Sequence, residues 1–394
     1  NIVSKFAFKF NRIIFESFYF PKKEYLKICL RCNLIPSRYS NFFNFNIKEN
    51  TKSKNNIRHR LKDLLIRTNH QDKFIQFLLM NIHKDIPQSY LENFKLIKRK
   101  VLPFAKRKKV IFSMHSIIHE DNFKIYIAET KKVGSKYIHA VHGGGLTYDI
   151  DPRFNYFEKV SDKIIKWDNT GKKKDNFLNL SPTMPFIKSK NTSKGNYCSI
   201  LFAEYSKYAV KFTTGPGLNE NVDLFNKLTS FVGKLKPEIK SKIKFRTKLN
   251  WGYNTERRFA EIFGKENIDK VSTKNPLNKT ISKSKLIIVT HPETAFSEAM
   301  YSNIPTILII NKNQWQFSSG AEKTFNDLKN NKIAFDDFDG ANSHINKYWD
   351  ELDTWWRSEN VQIARKGFLK NFFNVKSNWQ AEWSDYVYST SFFR

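Results

Sequence analysis

The chain has 394 residues, 40% of them hydrophobic and 15% aromatic with 36 Phe, so it is not disordered throughout and is long enough for two or three domains. Only 14 Gly and 12 Pro exclude a collagen-like or linker-dominated chain, and 3 Cys cannot build a disulfide framework, which points to a reducing compartment. Lys and Arg number 68 against 37 Asp and Glu, a net charge of +31, and no run of about 18 apolar residues exists to span a membrane.

The charge is concentrated at the start. Residues 1–110 hold 25 Lys/Arg and 7 Asp/Glu, so +18 of the +31 falls there. An anionic membrane surface, nucleic-acid phosphates, and a bias of base composition that inflates Lys, Asn, Ile and Phe each produce such an excess. Nucleic acid is disfavoured, because Arg-rich clusters, glycine–aromatic repeats and zinc-finger spacings are all missing. Residues 1–105 read as a helical basic region. In 59–81, Leu61, Leu64, Leu65, Phe74 and Phe77 fall near helical spacing between basic residues. The Asn-rich residues 41–56 are predicted as a loop. The chain opens on Asn1 without a basic-then-apolar leader, and its natural start is expected further upstream.

From residue 109 the pattern alternates. Lys109–Ser113 is a predicted strand, and Asp121–Lys132 a helix with Asp121 near its cap and Gly134 past its end. Tyr137–Val141 and Lys163–Trp167 are further strands. The polar residues 168–196, with Gly171, Pro182, Pro185 and Gly195, read as the linker between domains. The style then repeats. Strands are predicted at Tyr197–Ala203, Ile243–Arg246, within Ile281–Thr290 and at Pro305–Ile310. Helices are predicted at Asn219–Leu235 (ended by Pro237), Arg257–Phe263 and Thr294–Tyr301. Residues from Ile345 on, with Trp349, Trp355, Trp356 and Phe368, read as helices. Strands alternating with helices imply parallel sheets. The fold class is therefore α/β, with two Rossmann-like domains facing a cleft: a first domain over 1–185, a second over 186–345, and helices of 346–394 packing back across the cleft.

Ligands of open parallel sheets bind at the carboxyl ends of strands, and two loops there carry suitable chemistry. In the first, a strand runs into His142, Gly143, Gly144 and Gly145. Three glycines permit close backbone approach to a ligand oxygen, and His142 suits a general base near neutral pH. The dinucleotide pattern G-x-G-x-x-G is not met, which disfavours a nicotinamide enzyme. In the second, a buried strand ends at Thr290, and His291-Pro292-Glu293-Thr294-Ala295-Phe296-Ser297-Glu298 opens a helix. A helix N-terminus is an anion site, to which His291, Thr294, Ala295 and Ser297 are added; Glu298, one turn in, suits ribose hydroxyls. Arg246 and Lys248 end a third strand with charge matched to a diphosphate. Glu204 and His115, also at strand ends, are candidates of second rank, with a surface cap the alternative for Glu204. Cys29-x-x-Cys32 lacks a second pair, His115 and His119 do not complete H-E-x-x-H, and the D-x-D pairs Asp149/Asp151 and Asp337/Asp339 read as solvated turn carboxylates rather than holders of a divalent ion. No metal and no cofactor are expected.

The order of these features resembles a known family. His142-Gly-Gly-Gly with Tyr148, then S-D-K-I-I-K-W, the strand S-I-L-F-A-E-Y-S-K-Y, K-F-R near a Trp, and T-H-P-E-T-A-F-S-E-A-M-Y-S-N-I-P-T are similar to motifs of transferases from bacterial surface-carbohydrate (O-antigen and capsule) gene clusters. The resemblance spans residues 105–315 and extends in outline to GT-B glycosyltransferases and wall-polymer glycerophosphotransferases. The chain departs from it at Val141, where the family has Gln, at Leu146–Asp149, which replace a tighter ending, and in lacking E-x7-E. The resemblance implies a metal-independent glycosyltransferase moving a sugar from a nucleotide-sugar donor to a surface-polysaccharide or lipid-linked acceptor. The enzyme would be cytoplasmic, on the inner face of the cytoplasmic membrane where it meets an anionic leaflet. A CDP-glycerol-type polyol-phosphate transferase, a nucleotide-sugar epimerase and a basic nucleic-acid-binding protein are the rival readings.

Overall fold

The computed structural model describes residues 2–36, 51–68, 70–148, 153–169, 174–183, 195–208, 215–311 and 313–392. In chain order it contains α1 Ile2–Phe10, β1 Ile13–Glu16, α2 Lys22–Arg31, α3 Thr51–Ile66, α4 Lys73–Asp85, α5 Phe94–Ala105, β2 Val110–Ser113, α6 Ser116–His119, α7 Asp121–Lys132, β3 Lys136–Ala140, α8 Gly145–Tyr148, α9 Arg153–Val160, β4 Lys163–Lys166 and β5 Phe177–Asn179. There follow β6 Tyr197–Phe202, α10 Leu218–Gly233, α11 Pro237–Lys240, β7 Ile243–Thr247, α12 Thr255–Phe263, α13 Leu277–Lys283, β8 Ser284–Val289, α14 Thr294–Tyr301, β9 Thr306–Ile309, α15 Ser319–Asn330, β10 Ala334–Phe335, α16 Phe338–Tyr348, α17 Leu352–Arg357, α18 Glu359–Phe372 and α19 Trp379–Thr390. The strands β1, β2 and β3 form one parallel array and β6 to β10 another, so the fold is α/β with two Rossmann-like parallel arrays.

Two compact units divide the chain: residues 1–140, 160–163 and 380–394, and residues 141–159 and 164–379. In the first, β1, β2 and β3 run parallel, with Ile13 opposite Val110 and Val110 opposite Lys136. The strand β1 corrects the wholly helical reading of residues 1–105. It is only four residues long, buried throughout, and pairs with a strand about a hundred residues later, so it has no local signature. The helical stretch 59–81 is two helices, α3 and α4, parted where Asp72 caps the second by accepting from Phe74 N (2.8 Å) and Ile75 N (3.0 Å). Of the predicted loop 41–56, residues 51–56 belong to α3 and 41–50 lie outside the described residues. Lys108 is buried, with its ammonium donating to the carbonyls of Phe8, Lys9 and Asn11 at the end of α1; burial lowers its pKa to about 8. The C-terminal α19 adds Trp383, which meets Phe18 and Phe20 edge-on.

The second unit carries β4 paired in parallel with β5, and a five-stranded parallel sheet in the order β10-β9-β8-β6-β7. Its first strand, β6, lies inside the sheet with β7 on one side and β8 on the other, the reversal of strand order at which α/β sheets bind ligands. Helices cover both faces. One face holds Phe296, Met300, Phe325, Phe368 and Phe372 under α14, α15 and α18; the other holds Leu228, Phe231, Phe259 and Ile345 under α10, α12 and α16. The helix α15 and the strands β5 and β10 were not predicted, and β5 lies within the stretch read as linker, of which 170–173 and 184–194 are outside the described residues. Pro237 does not end a helix but opens α11, where its missing N–H costs nothing.

Candidate functional site

The site grows from the end of β8. Leu286–Val289 are fully buried, as a strand covered on both faces must be, and Thr290, His291 and Pro292 continue in buried positions. Glu293 takes an extended backbone before α14 and its carbonyl accepts from Phe296 N at 3.0 Å. The N–H groups of Thr294 and Ala295 precede the first intrahelical bond.

The triglycine segment lies directly on this helix start, both within the second unit. Gly144 N donates to Thr294 Oγ1 at 3.2 Å, and Tyr148 OH donates to the Pro292 carbonyl. The segment closes on itself where Thr147 N reaches Gly144 O at 2.9 Å, a bond that turns 145–148 into the short α8. Tyr148 is fully buried, with its ring against Phe325, Phe372, Phe368 and Phe317. The glycines serve this approach. A Cβ at Gly144 would stand 2.9 Å from Ser297 Oγ and 3.4 Å from Tyr148 OH, and one at Gly143 would stand 3.2 Å from Thr294 Oγ1; at Gly145 the nearest atom would be at an ordinary 3.6 Å. Gly144→Ala is therefore expected to destabilise the protein by about 1–3 kcal/mol, as overpacking does, while Gly145→Ala is tolerated. Urea denaturation of the two variants checks this, and equal midpoints would refute it.

Two buried polar atoms are left over at the helix start. Neither Ser297 Oγ nor His291 Nδ1 has a hydrogen-bond partner among the described residues, although Ser297 is fully buried and His291 is 8% exposed. Burial lowers the His291 pKa; Lys248 pushes the same way and Glu293 opposes, so the ring is neutral at pH 7. Burial raises the Glu298 carboxyl to about 7, against the pull of Lys248. Lys248, exposed just past β7, is thus the cation that acts on this cluster. Tyr205, just past β6, brings its OH to 3.4 Å from Glu293 Oε1. Sequence reasoning missed the packing roles of Tyr148, Tyr205 and Glu293; the one local hint was a tyrosine three residues past the glycines.

Three other candidates are occupied elsewhere. Arg246 donates to Asp269 Oδ2 (3.2 Å) and the Asn275 carbonyl (2.9 Å), which ties it into the fold. Glu204 is buried and accepts from the N–H groups of Trp251, Tyr253 and Thr255, organising that loop. His115 belongs to the first unit, where its ring lies 4.5 Å from that of His119. Asp337 caps α16 by accepting from Gly340 N (2.7 Å), and Asp339 pairs with Lys234 at 2.7 Å; Asp149 and Asp151 lie outside the described residues. Cys29 is buried, its thiol pushed up to about 11 by desolvation. Among the described residues no group of three or more His, Cys, Asp or Glu side chains comes together to hold a metal ion, and no helix is long and apolar enough to cross a membrane.

Comparison with known families supplies the decisive observation: the model described as LIC12162 family transferase matches residues 1–386. The chain belongs to the LIC12162 family of transferases. No curated protein sequence matches this transferase. Among solved structures it is similar to a TarM variant from S. aureus in complex with Fondaparinux, alpha-GlcNAc-glycerol and UDP, at 12% identity and a TM-score of 0.45 over 75% of this chain. The match spans only 59% of the TarM chain. It is also similar to HepE from Anabaena in complex with UDP and glucose (11% identity, TM-score 0.47, 96% of this chain and 99% of that one) and to a glycosyltransferase from Rickettsia africae (14%, 0.42, 85% and 94%).

Proposed function

We propose that this transferase moves a sugar from a nucleotide-activated donor to a hydroxyl of a surface-polysaccharide or lipid-linked acceptor. The observation that carries the reading is the meeting of the triglycine segment with the start of α14, where Ser297 Oγ and His291 Nδ1 are buried and unpartnered. Buried polar atoms cost about 1–3 kcal/mol each when unsatisfied, a cost that a site which binds a polar ligand recovers on binding. In this reading the donor diphosphate lies at the helix N-terminus, with the N–H groups of Thr294 and Ala295, the Ser297 hydroxyl and the neutral His291 ring donating to it. Lys248 meets the charge that grows on the departing phosphate. Glu298 accepts from the ribose hydroxyls. His142, one residue before the glycines, takes the proton of the attacking hydroxyl.

A thermal-shift panel of UDP, GDP, CMP and CDP tests the donor class. Stabilisation by UDP or GDP supports the reading, stabilisation by CMP and CDP alone would favour a polyol-phosphate transferase, and turnover of a nucleotide sugar without acceptor would favour an epimerase. Glu298→Gln sharpens the test. The carboxylate is the better acceptor, so wild-type affinity gains an increment as pH rises through about 7 that the Gln variant lacks. Identical pH profiles for the two proteins would remove Glu298 from the ribose site. Once the donor is known, His142→Ala is expected to lower kcat by about 10²–10⁴-fold with donor affinity kept, and full transfer by the variant would end its assignment as base.

A further inference from the structure

The first unit holds an apolar stripe turned to solvent. On α4, Phe74 is 65% exposed, Phe77 58%, Leu78 39% and Ile82 43%. Steps of three and four residues place these side chains along one face of the helix. Leu64 at 62% and Ile66 at 46%, near the end of the adjoining α3, are exposed as well. The hairpin is firmly built. Asp72 caps α4, and Arg58 of α3 donates to Glu92 and to the carbonyls of His83, Lys84 and Ile86. The stripe is therefore held outward by a locked scaffold and is not a frayed edge.

Charge surrounds it. Exposed Lys73 and Lys84 stand near the two ends of α4, and residues 58–107 hold 12 Lys/Arg against 4 Asp/Glu. We propose that the α3–α4 face docks on an anionic lipid bilayer, with α4 lying in the plane of the interface. At 13 residues α4 is about 20 Å long, too short to span a bilayer but suited to seat phenylalanines among acyl chains with lysines at the headgroups. A second copy of this chain is a poor occupant, because it would bring the same net positive surface against the first. Duplex nucleic acid would satisfy the lysines but leave the aromatic stripe uncovered. The proposal rests on this surface alone and stands apart from the donor chemistry of the second unit.

Co-sedimentation of the whole chain with phosphatidylcholine vesicles, with and without about 30 mol% phosphatidylglycerol, tests it. Binding is expected to be at least about tenfold stronger on the anionic vesicles and to fall severalfold between about 0.05 M and 0.5 M NaCl. Phe74→Ser/Phe77→Ser/Leu78→Ser is expected to lower binding at least about tenfold with the thermal midpoint kept, since these residues are exposed. Should that variant lose its fold, Lys73→Gln/Lys84→Gln takes its place, with an expected loss of about tenfold or more. Absence of binding to anionic vesicles, equal binding to both vesicle types, or wild-type binding by a folded variant would overturn the proposal. So would a dimer abolished by the triple substitution with vesicle binding unchanged.

Discussion

Replacing Tyr148 by alanine is expected to destabilise the protein by about 3–5 kcal/mol, the usual cost of emptying an aromatic position in a packed core. The ring is fully buried, with centroids of Phe325 and Phe372 each at 5.3 Å, so four aromatic neighbours would border the cavity. Its hydroxyl also satisfies the Pro292 carbonyl between β8 and α14. Tyr148→Phe keeps the packing and strands that carbonyl, for an expected loss of about 1–3 kcal/mol. Chemical denaturation of the two variants separates the terms. Equal losses would mean that the ring contributes nothing beyond its hydroxyl, contrary to the packing described here. Because Pro292 lies two residues before the first residue of α14, the proposed donor site predicts that both variants also weaken nucleotide binding more than their stability loss alone explains.

The pH dependence of stability should carry a large contribution from Glu16. Its side chain, at the end of β1, is 2% exposed; Ser116 Oγ lies 3.3 Å from Oε1, and Oε2 has no partner among the described residues. Burial raises the carboxyl pKa to about 8, Glu120 adds to the rise, and the Ser116 bond opposes it. A carboxyl with a raised folded pKa binds its proton more tightly in the native state than in the unfolded chain. Its contribution is therefore fully present below about pH 4.5 and is lost as the pH climbs to about 8, at a total of on the order of 3–5 kcal/mol. Glu16→Gln keeps the shape and removes the ionisation, so it should be more stable than wild type at pH 8.5 and nearly equal to it at pH 5. Thermal midpoints of the two proteins running parallel from pH 5 to 9 would show that Glu16 ionises without cost in the fold.

Much of the second unit was legible in the chain. The strand β7 alternates apolar and basic residues, α10, α12 and α14 fall at the expected distances, and β6, β8 and β9 hold short apolar runs bounded by polar or turn residues. Such runs are buried on both faces and need no partner to be recognised. The first hundred residues were less legible, because β1 is four residues long and its pairing partner is far along the chain. The same reason hid β10, a two-residue strand paired with β9.

Residue types and their order determined the alternation of strands and helices, the glycines after His142, and the polar helix start after Thr290. Those properties are local, set by side-chain periodicity, backbone freedom and capping chemistry within a few residues. Tertiary structure alone decided that Gly144 and Thr294, 150 residues apart, share a hydrogen bond, and that Gly143 and Gly144 make room for a helix. It also decided that Arg246 is held by Asp269 while Lys248 remains to act on Glu298. A charge advertises its sign in the sequence, but which opposite charge it meets depends on how distant segments fill a common volume, and no local pattern records that.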